Sequence, residues 1–187
     1  MKYKINSTMR YLTTLVLLLI NLWASGQDKN IIKIGDTLKN YEVTILRTGE
    51  RTTIANLAKG RRIIIDFWGR RCIPCVNKLP LLDSLQKEFG DEVLFLAMSP
   101  EQDNKSINDV LAFIESKPIL KKLDLAFVID TAHAVYNDLG RPELLDTWCD
   151  GKRIVRQRPG AGSHMTRSDI VAFIKATQGG EHRLPDK

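Results

Sequence analysis

Cysteine and histidine are scarce in this chain, three of each in 187 residues, and the scarcity narrows its chemistry before any motif is considered. Three cysteines cannot build the paired framework that staples many small exported domains. A structural zinc site needs further ligands at short spacing. Cys149 and the scattered His133, His164 and His182 offer no second pair beside Cys72 and Cys75, so neither a metal nor a cofactor is expected. No stripe of lysine and arginine with interleaved aromatics is present, which argues against nucleic acid as a partner. No internal repeat or low-complexity tract interrupts the chain. The uncharged apolar run from Tyr11 to Trp23 has 13 residues, short of the about 20 that span a bilayer.

That run is nevertheless informative. Lys2, Lys4 and Arg10 are the only charges before it, and Ala24-Ser25-Gly26 follows it, which is the charged, apolar and small-residue order of an export signal. Residues 1–26 are therefore expected to be a signal peptide cleaved after Gly26, with a periplasmic or otherwise exported domain over 27–178 and a loose tail over 179–187. An uncleaved signal is the alternative and would be the one route to membrane attachment, because no cysteine lies near the cleavage region to carry a lipid. Losing residues 1–26 removes three basic and no acidic residues, so the formal net charge falls from +6 to +3.

Within 27–178 the apolar periodicity alternates between strand and helix. Tyr41–Leu46 alternates, Thr48-Gly49-Glu50 reads as a turn, and Thr52–Ile54 reads as a short returning strand. Ile63–Trp68 reads as a strand buried on both faces, and "EVLFLAMS" and "LAFVID" read the same way. From Pro74 the period becomes helical: Cys75, Leu79, Leu82, Leu85 and Phe89 form one stripe, with Pro80 expected to kink it. "NKSINDVLAFIESKP" is an amphipathic helix and "TAHAVYNDLG" a short one. Asp150-Gly151 predicts a two-residue hairpin turn, and Thr166 or Ser168 caps a last helix through Thr177. This order predicts an α/β fold with a central sheet.

The strand Ile63–Trp68 runs into "GRRCIPC" and then into a helix. A cysteine at that junction faces unpaired backbone N–H groups and the positive end of the helix dipole, which favour its thiolate. Cys72 is then the attacking thiol, and Cys75, one turn further in, the thiol that resolves a mixed disulfide. Resolution needs a proton acceptor, and Asp66, alone in an apolar strand, is the candidate. Arg70 and Arg71 should tune Cys72 by favouring its thiolate. Each pKa unit is worth about 30 mV toward a more oxidising potential. Three plainer readings stand beside this one: a zinc pair, a permanent disulfide that constrains little chain entropy, and an Asp66 that merely pairs with a lysine or arginine.

"IIIDFWGRRCIPC" resembles the active-site strand and loop of thioredoxins, and the fuller chain is similar to the exported thioredoxin-like reductases of the TlpA/ResA family. The segment up to "RRIIIDFW" resembles that family's N-terminal hairpin and first strand. Asn104–Asp130 stands where the family inserts a helix-strand unit. "YNDLGRP" has the spacing of the segment leading to its cis-proline, and "DGKRIV" resembles its terminal hairpin. The resemblance implies a thioredoxin fold, a central mixed sheet flanked by helices, with an N-terminal β-hairpin and that inserted unit. It implies Cys72 as nucleophile, Cys75 as resolving thiol and Asp66 as the buried acid. It further implies a cis Pro142 facing the cysteines, Arg141 offering backbone hydrogen bonds to an extended substrate, and Trp68 beside the active-site loop.

Four residues depart from the family's pattern. Arg71 stands where tryptophan is usual, Lys78 where several members carry a glutamate, and Glu143 and Asp146 fall in a strand that is mostly apolar. With that glutamate missing, Asp66 is expected to serve alone. Cys149 is expected at the hairpin, unpaired and without a role, with intermolecular pairing as its alternative. The implied function is an exported thiol–disulfide oxidoreductase that reduces a disulfide-containing protein substrate and is recharged by a membrane-borne electron donor. A redox-inactive domain that binds extended polypeptides is the competing reading, and a thiol peroxidase a more distant one.

Overall fold

A computed structural model of the protein describes residues 31–178 apart from 101–103, 131, 141–145 and 161–164. The apolar run after Arg61 forms the centre of the sheet. Strand β3 (Arg62–Phe67) lies between β4 (Val93–Ser99), to which it is parallel, and β6 (Thr147–Cys149), to which it is antiparallel. Beyond β4 comes β5 (Ala126–Ile129), parallel again, then the hairpin of β1 (Glu42–Ile45) and β2 (Arg51–Thr53). Beyond β6 comes β7 (Val155–Gln157), and the full order is β2-β1-β5-β4-β3-β6-β7. This is the expected thioredoxin fold, with its N-terminal hairpin and inserted unit.

Because β3 is central, both of its faces are covered, and its alternation divides the core in two. Ile64 and Trp68 pack under α2 (Ile73–Phe89), α3 (Asn104–Ser116) and α6 (Arg167–Thr177) with Leu82, Val110 and Phe173. Ile63, Ile65 and Phe67 pack on the other face under α1 (Ile54–Ala58) and α5 (Ala134–Asp138) with Met98 and Val135. A short α4 (Pro118–Lys121) precedes β5. Thr166 caps α6 in a capping box with Asp169, settling the choice between Thr166 and Ser168.

The structure departs from the sequence expectations in two places. Ile54 does not extend β2; it opens α1, because the Thr53 side chain caps that helix by accepting from the Asn56 N–H. The turn after β6 is longer than two residues. Asp150 N–H donates to the Ile154 carbonyl at 3.0 Å, leaving Gly151-Lys152-Arg153 as the loop, and Arg153 takes the left-handed conformation at φ 63°. The Asp150 carboxylate holds this loop by accepting from the N–H groups of Lys152 and Ile154. Gly151 is required by contact: a Cβ there would lie 2.5 Å from the Gly60 carbonyl oxygen.

Candidate active site

Strand β3 delivers the chain to the site and the start of α2 receives it. After Trp68, whose N–H still donates to Met98, the chain turns through Gly69-Arg70-Arg71-Cys72, closed by Cys72 N–H donating to the Gly69 carbonyl at 3.0 Å. Cys72 is the N-cap of α2, and its Sγ accepts from the Cys75 N–H at 3.4 Å. Pro74 falls in the first turn, where its missing N–H costs no helix hydrogen bond. Cys72 and Cys75 are joined as a disulfide with their Cα atoms 5.2 Å apart. Ile73, between them, is 70% exposed. The sulfur that caps a helix is stabilised as an anion when the bond opens, since helix N–H groups already point at it.

Beneath this turn lies a buried charged group. Asp66 and Trp68 alternate onto the face of β3 that α2 covers. Asp146 lies on the same face: the β3–β6 register pairs Ile65 with Thr147, and one residue further sets Asp146 opposite Asp66. Each aspartate is 5% exposed. Lys78 reaches between them from α2, donating to Asp66 Oδ1 at 2.7 Å and to both Asp146 oxygens at 2.9 and 2.8 Å. Burial, reinforced by a hydrogen bond to Asp146 and its charge, pushes the Asp66 carboxyl up to about 7, against the opposing pull of Lys78. Burial pulls the Lys78 ammonium down, but the two carboxylates outweigh it and hold its pKa above the ordinary lysine value.

The expectation that Asp66 serves alone is therefore corrected. Lys78 occupies the place of the absent glutamate, but it sits inside and binds two acids. The Asp146 that strained an apolar reading of its strand is buried because Lys78 neutralises part of the pair. Two signals in the sequence point to this. Lys78 falls three residues after Cys75, on the same side of α2, and Asp146 falls two residues before Trp148, on the same face of the sheet.

The remaining candidates divide. Trp68, expected at the substrate side, is 2% exposed and meets Phe127 edge-on at 5.5 Å, so its ring is part of the core. Arg70 and Arg71 form the outer corner of the turn; Arg70 pairs with Asp109 of α3 at 3.2 Å, which offsets part of its charge, and Arg71 is exposed. Arg141 and Pro142, with the expected cis bond, lie outside the described residues. Cys149 is fully buried against Ile63 in β3, and burial pushes its thiol up to about 12. That burial excludes the pairing between chains. Among the described residues no group of three or more histidine, cysteine or acidic side chains could hold a metal ion.

No protein-family model matches the chain. It is 29% identical over 97 residues to the thioredoxin-like protein YneN of Bacillus subtilis, covering 51% of this chain and 56% of that protein. It is 26% identical over 129 residues to the thiol-disulfide oxidoreductase ResA of Bacillus cereus, covering 64% of this chain and 68% of that one. The chain thus matches little more than half the length of the first of these relatives. Among solved structures, a putative thiol-disulfide oxidoreductase from Bacteroides vulgatus superposes with a TM-score of 0.60 at 19% identity, over 81% of this chain and 99% of that one.

Proposed function

We propose that the chain is a TlpA/ResA-like thioredoxin and, on that premise, an exported thiol–disulfide oxidoreductase that reduces disulfides in protein substrates. The observation that carries this reading is the Cys72–Cys75 disulfide at the N-terminus of α2, with the Cys72 sulfur capping the helix.

In the reduced protein the Cys72 thiolate attacks one sulfur of a substrate disulfide. A bond forms between Cys72 and that sulfur, and the second substrate sulfur leaves with the electron pair and takes up a proton. Cys75 then gives its proton to the buried acid Asp66, and its thiolate attacks Cys72. The Cys72–Cys75 bond forms, the bond to the substrate breaks, and the substrate departs as a dithiol. A membrane-borne donor of two electrons reopens the pair. Exposed Ile73 supplies apolar contact beside the reacting sulfurs, and Arg141 and Pro142 would align an extended substrate.

Export is supported by the residue order of positions 1–26. No helix among the described residues is long and apolar enough to cross a membrane. The test is dithiol-driven reduction of insulin by the wild-type chain and by Cys72→Ser. The variant should lose the activity entirely. An active variant, or an inactive wild-type chain whose Cys72 titrates above the free-thiol value of about 8.5, would overturn the reading in favour of a binding domain.

A further inference from the structure

A dithiol cycle needs one proton acceptor, and Asp66 supplies it; Lys78 and Asp146 are surplus to that need. Yet both lie largely inside the protein, where the penalty for each buried ion is several kcal/mol. Two carboxylates gathered on one ammonium also repel. Apolar residues of similar size would fill the same space without either cost.

The geometry points to a role: we propose that Lys78 and Asp146 are positioning residues that govern when Asp66 accepts the proton of Cys75, so that resolution of the mixed disulfide is controlled by a three-membered unit. The proposal rests on the dithiol reading given above. Its first support is placement. Lys78 lies one helical turn from Cys75 on α2, so the ammonium that binds Asp66 and the resolving thiol share one side of that helix.

Its second support is an asymmetry in hydrogen bonding. Both oxygens of Asp146 accept from Lys78, whereas Asp66 receives it on Oδ1 alone. Asp66 Oδ2 is buried and meets no N–H or O–H donor. Two carboxylates and one ammonium carry a net charge of −1, which a single proton cancels. The open position for that proton is Asp66 Oδ2, from which it can be shared with Asp146.

The surroundings leave the control to these three groups. From β4 the register sets Ala97 beside Asp66, and α6 contributes Phe173, packed on Trp148. Asp146 and Lys78 are the charged groups acting on Asp66, and they act in opposite directions. Asp146 holds the proton on and Lys78 drives it off. The step itself balances: Cys75 loses a proton to Asp66 Oδ2, the Cys75 sulfur bonds to Cys72, and the substrate sulfur leaves with the electron pair.

The opposition makes the test specific. The Asp66 carboxyl is titrated by NMR in the oxidised full chain, and the acid limb of the pH–rate profile for insulin reduction is measured in parallel. Asp146→Asn should move both midpoints to lower pH, and Lys78→Met should move both to higher pH, each by about 1–3 units. Lys78→Arg, which restores the charge, should return them toward the wild-type value. Shifts in the same direction, or none, would overturn the proposal. Asp146→Asn keeps the side-chain size, and an unmoved Asp66 titration in that variant alone suffices to reject it. The NMR titration needs no turnover, so an inactive wild-type chain would refute the dithiol reading while the coupling of the three groups is still decided.

Discussion

Asp66 of β3 and Asp146, the residue before β6, are held together by the single ammonium of Lys78, 2.7 Å from one and 2.8 Å from the other. The buried acid beneath the cysteines is thus one member of a unit with an odd charge, and several measurable properties follow from this and from the helix start above it.

Stability should fall as pH rises through neutrality. The Asp66 carboxyl sits near 7 in the folded chain and near 3.9 in an unfolded one. Between those values the folded state binds the extra proton, so stability is fully present below about pH 4 and is lost as pH approaches 7 and passes it. The loss has an upper bound of about 4 kcal/mol. Urea unfolding of the oxidised chain from pH 3.5 to 8 measures it, and Asp66→Asn should flatten the dependence.

Replacing Cys75 by serine should trap the substrate. With no resolving thiol, Cys72 stays bonded to the substrate sulfur, and a covalent adduct that dithiothreitol releases should accumulate on non-reducing gels. Cys72→Ser should give no such adduct, because Cys75 is the later sulfur in the cycle. A trap on Cys75 alone would reverse the assigned roles.

The arginines of the turn set a potential with a definite sign. Removing both by Arg70→Ala and Arg71→Ala takes away charge that favours the Cys72 thiolate, so the pair should become more reducing, by about 30 mV for each unit of lost thiol acidity. Because Asp109 offsets part of the Arg70 charge, Asp109→Asn should shift the potential the opposite way. Equilibration with glutathione buffers measures both. An unchanged potential would assign the arginines to substrate contact.

Cys149 should be silent in the native chain. The oxidised protein should show no thiol toward Ellman's reagent until it is unfolded, and one per chain afterwards, because the third sulfur is fully buried. A native titre of one would mean that β6 opens readily.

Much of the architecture was legible from the order of residues alone. The runs at Ile63–Trp68 and Val93–Ser99 are apolar without alternation, which only central strands tolerate, and they form β3 and β4. The strand-to-helix junction at Cys72 is equally local, since a cysteine pair with proline in the first turn needs only helix geometry to be read. The loop after β6 is longer than its sequence implies, although Asp150-Gly151 favours a tight turn locally. The Asp150 carboxylate recruits two backbone N–H groups further on, and Gly60 crowds the glycine from another part of the chain.

The chemistry available is local to the chain: two thiols at a helix start, and one carboxyl in an apolar strand. These depend on neighbours a few residues apart, where spacing dictates geometry. The company that carboxyl keeps is set by packing between distant segments. Lys78 and Asp146 lie 12 and 80 positions from Asp66 in the chain, and read singly one departs from the family's glutamate and the other from an apolar strand. Strand register sets one acid against the other, and the helix above lowers the lysine between them. A buried charge is tolerated only with its partners in place, and those partners meet only when strands and helix are packed together.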